Sequence, residues 1–312
     1  MNKMPKLDKA FILSAEIQSA QRQGQPIVAL ESTVITHGLP KVENLALAKR
    51  LEEIVREGGA VPATIGLLDG KIRVGMAEGE LTQLAEANDA LKISSRDIAY
   101  AVSAGKSGGT TVAATAQIAA ICGIRVFATG GIGGVHRGSH WDVSADLGEL
   151  ARQRILLVCA GAKSILDLPA TLEKFETLSV PLLGLQSDEF PAFYSRHSGL
   201  KVSARMESLE DAVRFADAHW RLGGNGIVLA VPPPEEEALP FEEVEAWIAT
   251  ALSEAEAQGI HGPASTPFLL KRLGELSGGR TLQSNLALLE NNARVAAELA
   301  KQMPAKLAAG QS

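Results

Sequence analysis

The chain has 312 residues, 46% of them apolar and 21% charged, a composition that supports a sizeable core and excludes disordered and fibrous classes. A net charge of −6 repels a phosphate backbone, and eight Phe, three Trp and two Tyr are a poor supply for a base-stacking platform, so general nucleic-acid binding is excluded. No stretch approaches the ~20 continuous apolar residues of a membrane span. The N-terminus MNKMPKLDKA lacks a signal-type apolar core, and Cys122 and Cys159 lie in apolar runs as reduced thiols; a cytoplasmic protein is expected.

Short apolar runs alternate with longer amphipathic ones, the pattern of an α/β fold with helices on both faces of a largely parallel sheet. In chain order, strands are predicted at 26–30, 62–68, 72–75, 124–128, 155–160, 181–185 and 226–231. Asp69-Gly70 signals a hairpin between two of them, which makes the sheet mixed. Helices are predicted at 43–57, 80–87, 110–122, 145–152, 170–177, 208–221, 241–257, 266–276 and 282–302. The acidic, Pro-rich stretch 232–240 reads as a loop within a single domain spanning 1–312, with 1–10 and 304–312 as mobile tails.

Ligands of open α/β sheets bind beyond the carboxyl ends of the strands, so the polar residues that end each apolar run come first. Four such edges stand out: Glu31-Ser32-Thr33, Thr129-Gly130-Gly131, Lys163-Ser164 and Asn225. Glu31 follows a fully apolar strand, where desolvation favours the protonated acid and makes a proton donor; a capping or salt-bridged carboxylate is the bland alternative. His37 shares its loop. Lys163 ends ILLVCAGAK, beside a hydrophobic layer that disfavours an ammonium, and a free amine attacks a sugar aldehyde. A phosphate-binding lysine and a solvated one are the rival readings.

The glycine-rich run 130–138 offers backbone N–H groups to an anion, with Arg137 as a bidentate phosphate contact. It fails the dinucleotide fingerprint because His136 stands where a glycine is required, and Gly105-Lys106-Ser107 fails as a Walker site because Tyr100 does. Asp142 and Asp146 flank Ser144 with oxygen ligands suited to Mg²⁺ or Mn²⁺, the nearby histidines favouring Mn²⁺; Ser144 and Asp146 equally suit a helix N-cap.

Taken together, the stretches VALESTVITHGLP (28–40), GAVPATIGLLDGKIRVG (59–75), SAGKSGGTTVAAT (103–115), VFATGGIGGVHRG (126–138), DVSADLGEL (142–150), VCAGAKSILDLP (158–169), STPFLL (265–270) and SNLALLENNA (284–293) resemble the pseudouridine-5′-phosphate glycosidases, the IndA family. They span nearly the whole chain in one order. The resemblance implies a three-layer α/β/α sandwich around a mixed, mostly parallel sheet, a homotrimer, bound Mn²⁺, and reversible cleavage of the C–C glycosidic bond of pseudouridine 5′-phosphate to uracil and ribose 5-phosphate. It puts the nucleophile on Lys163, the proton donor on Glu31 and the metal-bound aspartate on Asp142. Substrate contacts fall on Lys92, Val112, Ser144, Ala145 and Asp146, with Thr129, His136 and Asn285 lining the same pocket. The family loop before Asp142 is often longer than Ser139-His140-Trp141 here, which bears on metal coordination.

A C–C glycoside has no leaving-group oxygen to protonate, so the two-carboxylate glycosidase route is closed. Capture of the opened ribose as an imine on Lys163 supplies an electron sink while Glu31 protonates the departing uracil carbon. A Schiff-base aldolase on another sugar phosphate and a non-enzymatic sugar-phosphate sensor are the competing readings.

Overall fold

The computed structural model describes residues 7–38, 41–260 and 265–304. Its strands are β1 (Phe11–Leu13), β2 (Ile27–Leu30), β3 (Val61–Leu68), β4 (Lys71–Val74), β5 (Leu91–Ile93), β6 (Gly108–Thr110), β7 (Val126–Ala128), β8 (Val135–His136), β9 (Ser139–Val143), β10 (Leu156–Cys159), β11 (Leu166–Asp167), β12 (Leu182–Leu185), β13 (Ala204–Met206) and β14 (Ile227–Ala230). The helices are α1 (Ala15–Gln23), α2 (Lys41–Glu57), α3 (Glu78–Glu86), α4 (Ile98–Ser103), α5 (Val112–Ile121), α6 (Ala145–Leu150), α7 (Leu168–Thr177), α8 (Leu209–Arg221), α9 (Phe241–Ala257), α10 (Ser265–Leu276) and α11 (Arg280–Gln302).

The main sheet runs β1-β4-β3-β2-β7-β10-β14-β12-β13, with β6 on the far half of β3 and β5 beside β6. From β3 through β2, β7, β10, β14 and β12 to β13 every pairing is parallel. The antiparallel partners of β3 are β4 and β6. Every residue of β7, β10 and β14 is buried. Since successive side chains point to opposite faces, burial without alternation means that both faces are covered, as the α/β/α expectation requires. On one side α11 lies against α2 and α8 and crosses β2, β7 and β10; α5 packs on α6 and against β2 and β3. Helix α5 is almost apolar all round and made mostly of small residues, which lets seven of its ten residues be buried.

All seven predicted strands and all nine predicted helices are present, with no end shifted by more than two residues. The Asp69-Gly70 turn joins β3 to β4 with φ of 50° and 70°, as a type I′ hairpin requires. Gly105-Lys106-Ser107 buttresses that turn, with the Gly70 amide donating to the Lys106 carbonyl and the Asp69 amide to Ser107 Oγ, so its P-loop likeness is incidental. Both cysteines are free and buried, and desolvation pushes their thiols up to about 12. The 232–240 segment connects β14 to α9, held by Arg196 on the Pro233 carbonyl and by the Leu239 amide on that of Tyr194. The expected tails at 1–6 and 305–312 lie outside the described residues. Residues 8–10 correct that expectation: Ala10 is buried, and its carbonyl accepts from the Ile72 amide.

Candidate active site

Three neighbouring parallel strands end side by side at one edge of the sheet, and each delivers a polar residue there. Glu31 follows β2, Thr129 follows β7, and Lys163 lies four residues beyond β10. The Thr129 hydroxyl donates to Glu31 Oε1 in a very short hydrogen bond. Ser32 anchors the Glu31 turn, its hydroxyl donating to the Ile65 carbonyl at 2.6 Å and accepting from the Thr110 amide at 2.9 Å. That bond brings β6, and with it the N-terminus of α5, to the same edge.

Asp146 joins the cluster from the first turn of α6. It is 7% exposed; Oδ1 accepts from the Ala113 amide at 2.9 Å and Oδ2 from the Gly133 amide at 2.8 Å. One carboxylate therefore ties the start of α5, next to Val112, to the glycine-rich loop. Ser144 is the N-cap of α6 and Ala145 its first residue.

Charge couples these groups. Burial pushes the Glu31 carboxyl above the usual range; Lys163, the Thr129 hydroxyl and Lys92 pull it down, and Asp146 adds to the upward shift. The Lys92 ammonium is pushed down by burial first and by the charge of Lys163 second, with Asp146 and Glu31 opposing. Lys92 is solvent-exposed as a residue, which limits that desolvation. Burial and the charge of Lys92 lower the exposed His37, whose Nδ1 pairs with Thr36 Oγ1. Glu31, Lys92, Asp146 and Lys163 thus form one electrostatic unit, with Thr129 attached by its hydrogen bond. A buried acid whose carboxyl is pushed up, within range of the charges of two lysines, is a group set suited to proton transfer and capture of a carbonyl.

The remaining predicted site residues sit differently. His136 is half-buried on β8, across from Leu166 of β11. Asn285 is half-buried on the first turns of α11 and makes no side-chain hydrogen bond among the described residues. Asp142 is exposed on β9, next to Trp141, which is 96% exposed. The two carboxylates of the Asp142–Asp146 pattern part company, because Asp146 spends both oxygens on backbone amides. Among the described residues no three His, Cys, Asp or Glu side chains converge to hold a cation.

Two expectations need correction. The glycine run does not form an open anion cradle. The Ile132 amide donates to Gly161, that of Gly133 to Asp146 and that of Val135 to Thr171 Oγ1. A Cβ on Gly131 would stand 2.5 Å from the Phe193 ring and one on Gly134 2.4 Å from Thr171 Oγ1, so these glycines make room for protein. Arg137 makes no free phosphate contact either: its guanidinium is held by Glu245 at 2.7 and 2.8 Å and by the Ser164 and Leu166 carbonyls at 2.9 and 3.0 Å.

Sequence reasoning missed Asn292. It is 1% exposed on α11, and its amide donates to the carbonyls of Thr129 at 2.9 Å and Gly130 at 3.3 Å. A signal existed, since Asn292 continues the 285, 288 and 289 stripe at helical spacing, where an asparagine interrupts an apolar face. Glu245 carried none, standing 108 residues from its partner in an ordinary acidic helix.

The family model described as indigoidine synthase A like protein matches residues 16–302. A pseudouridine-5′-phosphate glycosidase of Herpetosiphon aurantiacus is 56% identical over 294 residues, covering 93% of this chain and 97% of the relative. Among solved structures, the prealnumycin C-glycosynthase AlnA in complex with ribulose 5-phosphate superposes with a TM-score of 0.89 at 40% identity, covering 98% of this chain and 99% of that one. An indigoidine synthase A-like protein of Thermotoga maritima superposes with a TM-score of 0.84 at 42% identity, covering 93% and 95%. The chain belongs to the indigoidine synthase A-like family.

Proposed function

We propose that this protein reversibly cleaves the C–C glycosidic bond of pseudouridine 5′-phosphate, giving uracil and ribose 5-phosphate, a reading supported by the 56% identical relative named pseudouridine-5′-phosphate glycosidase. The observation that carries the reading is the gathering at adjacent strand ends of Glu31, hydrogen-bonded by Thr129 and with its carboxyl pushed up by burial, and Lys163, within range of its charge. The Lys163 amine bonds to C1′ as the ring oxygen leaves that carbon and takes a proton. The C1′–C5 bond then breaks, its electron pair going to the uracil carbon that receives the proton of Glu31, while the nitrogen lone pair forms the imine. Water hydrolyses the imine to ribose 5-phosphate and regenerates the amine. Lys92 and the α5 start near Val112 supply positive potential for the phosphate, a helix N-terminus being favourable for an anion. Ser144, Ala145, Asp146, Thr129, His136 and Asn285 line the remainder of the pocket in this reading.

The donor set suits Mn²⁺ only as a largely hydrated ion, because Asp142 is an exposed carboxylate and is not part of any group of three His, Cys, Asp or Glu side chains among the described residues. An ion held there by Asp142 would supply positive charge. The same reading makes the protein a homotrimer of the cytoplasm. Buried free thiols agree with a reducing compartment, and no helix among the described residues is long and apolar enough to cross a membrane.

Incubation of uracil and ribose 5-phosphate, with and without Mn²⁺, tests the activity: pseudouridine 5′-phosphate must accumulate. Cleavage of deoxyribose 5-phosphate without uracil points instead to an aldolase, and ribose 5-phosphate binding without uracil exchange to a sensor. The ribulose 5-phosphate-bound C-glycosynthase makes a different aglycone the reading to try if uracil fails.

A further inference from the structure

We infer that Arg137, locked by Glu245, is the positioning residue of the nucleophile, acting through the turn that carries Lys163. The inference rests on Lys163 being the imine-forming residue. Residues 163–166 form a tight turn, closed by the Leu166 amide on the Lys163 carbonyl at 3.0 Å. On one side it is fastened to the glycine loop, the Lys163 amide donating to Ile132 at 3.0 Å and the Ile132 amide to Gly161 at 3.1 Å. On the other side its buried carbonyls have one cationic donor. Arg137 reaches Ser164 through Nη2 at 2.9 Å and Leu166 through Nε at 3.0 Å.

The remaining face of the guanidinium is taken by Glu245 of α9, Nη1 on Oε2 at 2.8 Å and Nη2 on Oε1 at 2.7 Å. A planar fork with four acceptors fixes both its own plane and that of the turn, which a lysine, a point charge on a flexible stem, cannot do. The carboxylate neutralises the arginine, so the clamp adds little net charge beside the amine. It sets where the Lys163 backbone stands, and reaction rates respond steeply to that: a misplacement of about 1 Å costs about 10²-fold. Arg137 and Glu245 also line a cavity of about 360 Å³ with Leu166, Asp167, Phe241 and Leu200. Truncation of the arginine opens the site of its guanidinium to that cavity, and a small guanidinium ion can refill it.

The test is borohydride trapping of the Lys163 adduct with ribose 5-phosphate, followed by mass, in wild type, Arg137→Lys, Arg137→Ala and Glu245→Gln. Expected are an adduct of one per chain in every folded variant, formed about 10- to 100-fold more slowly in both arginine variants, with KM little changed and kcat reduced in parallel. Guanidinium restores the rate to Arg137→Ala and has no effect on Arg137→Lys. Glu245→Gln falls between wild type and Arg137→Lys. Wild-type trapping rates in both arginine variants overturn the inference. A lower adduct yield at unchanged rate overturns it too, since that is the mark of a partly unfolded population. Should Arg137→Ala not fold, Arg137→Lys and Glu245→Gln decide it by the same readout. Absence of any Lys163 adduct in wild type overturns the imine reading, and this inference with it.

Discussion

The β8–β9 hairpin lies in the chain between Thr129 and Asp146 of the strand-end cluster, and the two are built on opposite principles. At the strand ends Glu31, Asp146 and Lys163 are half-buried to buried, and each polar group has a partner or a charge nearby. On the hairpin Trp141 and Asp142 stand in solvent, and Asp142 has no hydrogen-bond partner among the described residues. The cluster borrows its rigidity from parallel strands buried on both faces, whereas a short antiparallel ribbon has one neighbour, β11, to lean on. Groups that must hold an unusual protonation state need the first environment; groups that meet a hydrated ion or a diffusing ligand can occupy the second.

The contrast can be broken most severely at Lys163. Lys163→Ala is expected to lower turnover by more than about 10³-fold and to abolish the borohydride adduct, while the melting temperature stays near that of wild type. Glu31→Gln should lower kcat about 10²- to 10⁴-fold in the cleavage direction. Because burial raises the Glu31 carboxyl, the acid form persists above the usual carboxylate range, and cleavage falls as pH rises through the raised value. The sign for stability is the same. The folded state binds the Glu31 proton more tightly than the unfolded state, so this residue's contribution is lost as pH rises above the usual carboxylate range, and Glu31→Gln should flatten the fall in melting temperature there.

Thr129→Val removes the hydroxyl that lowers Glu31 and should move the alkaline limb of the pH–rate profile upward, with a loss in kcat of about tenfold. On the hairpin, Asp142→Ala is expected to erase any Mn²⁺ stimulation, read as activity before and after chelation, and to leave the Lys163 adduct and the melting curve unchanged. Trp141→Ser should change stability by less than about 0.5 kcal/mol in denaturant titration, since its ring is in water already.

Much of this was legible in the residues. The apolar runs that became β2, β7, β10 and β14 are strong because a strand buried on both faces leaves no polar positions. Asp69-Gly70 was legible because positive φ at two successive residues restricts the chemistry of the turn. Strands β1, β5 and β6 were not, being three residues each, with GGT in β6, where pairing partners and not propensity decide the conformation. Helix α1, with Gln and Ser along AEIQSAQRQ, was hidden for a related reason: Ile17 and Ala20 are its buried residues, too few for a periodic signal.

At the site, Glu31, Thr129 and Lys163 could be picked out because each ends an apolar run, and strand ends are where open parallel sheets bind ligands. Sequence by itself therefore determined the type of the sixteen elements it signalled, the strand-end residues and the family. Which strand lies beside which was decided by the tertiary structure, and with it the pairing of Glu31 with Thr129. The same holds for the uses of polar residues with several possible partners. Arg137, readable as a phosphate ligand, is spent on Glu245 and two carbonyls, and the glycines, readable as an anion cradle, make room for Phe193 and Thr171. The physical reason is that hydrogen-bond capacity is a property of the residue, while its satisfaction depends on neighbours as far as 108 residues away.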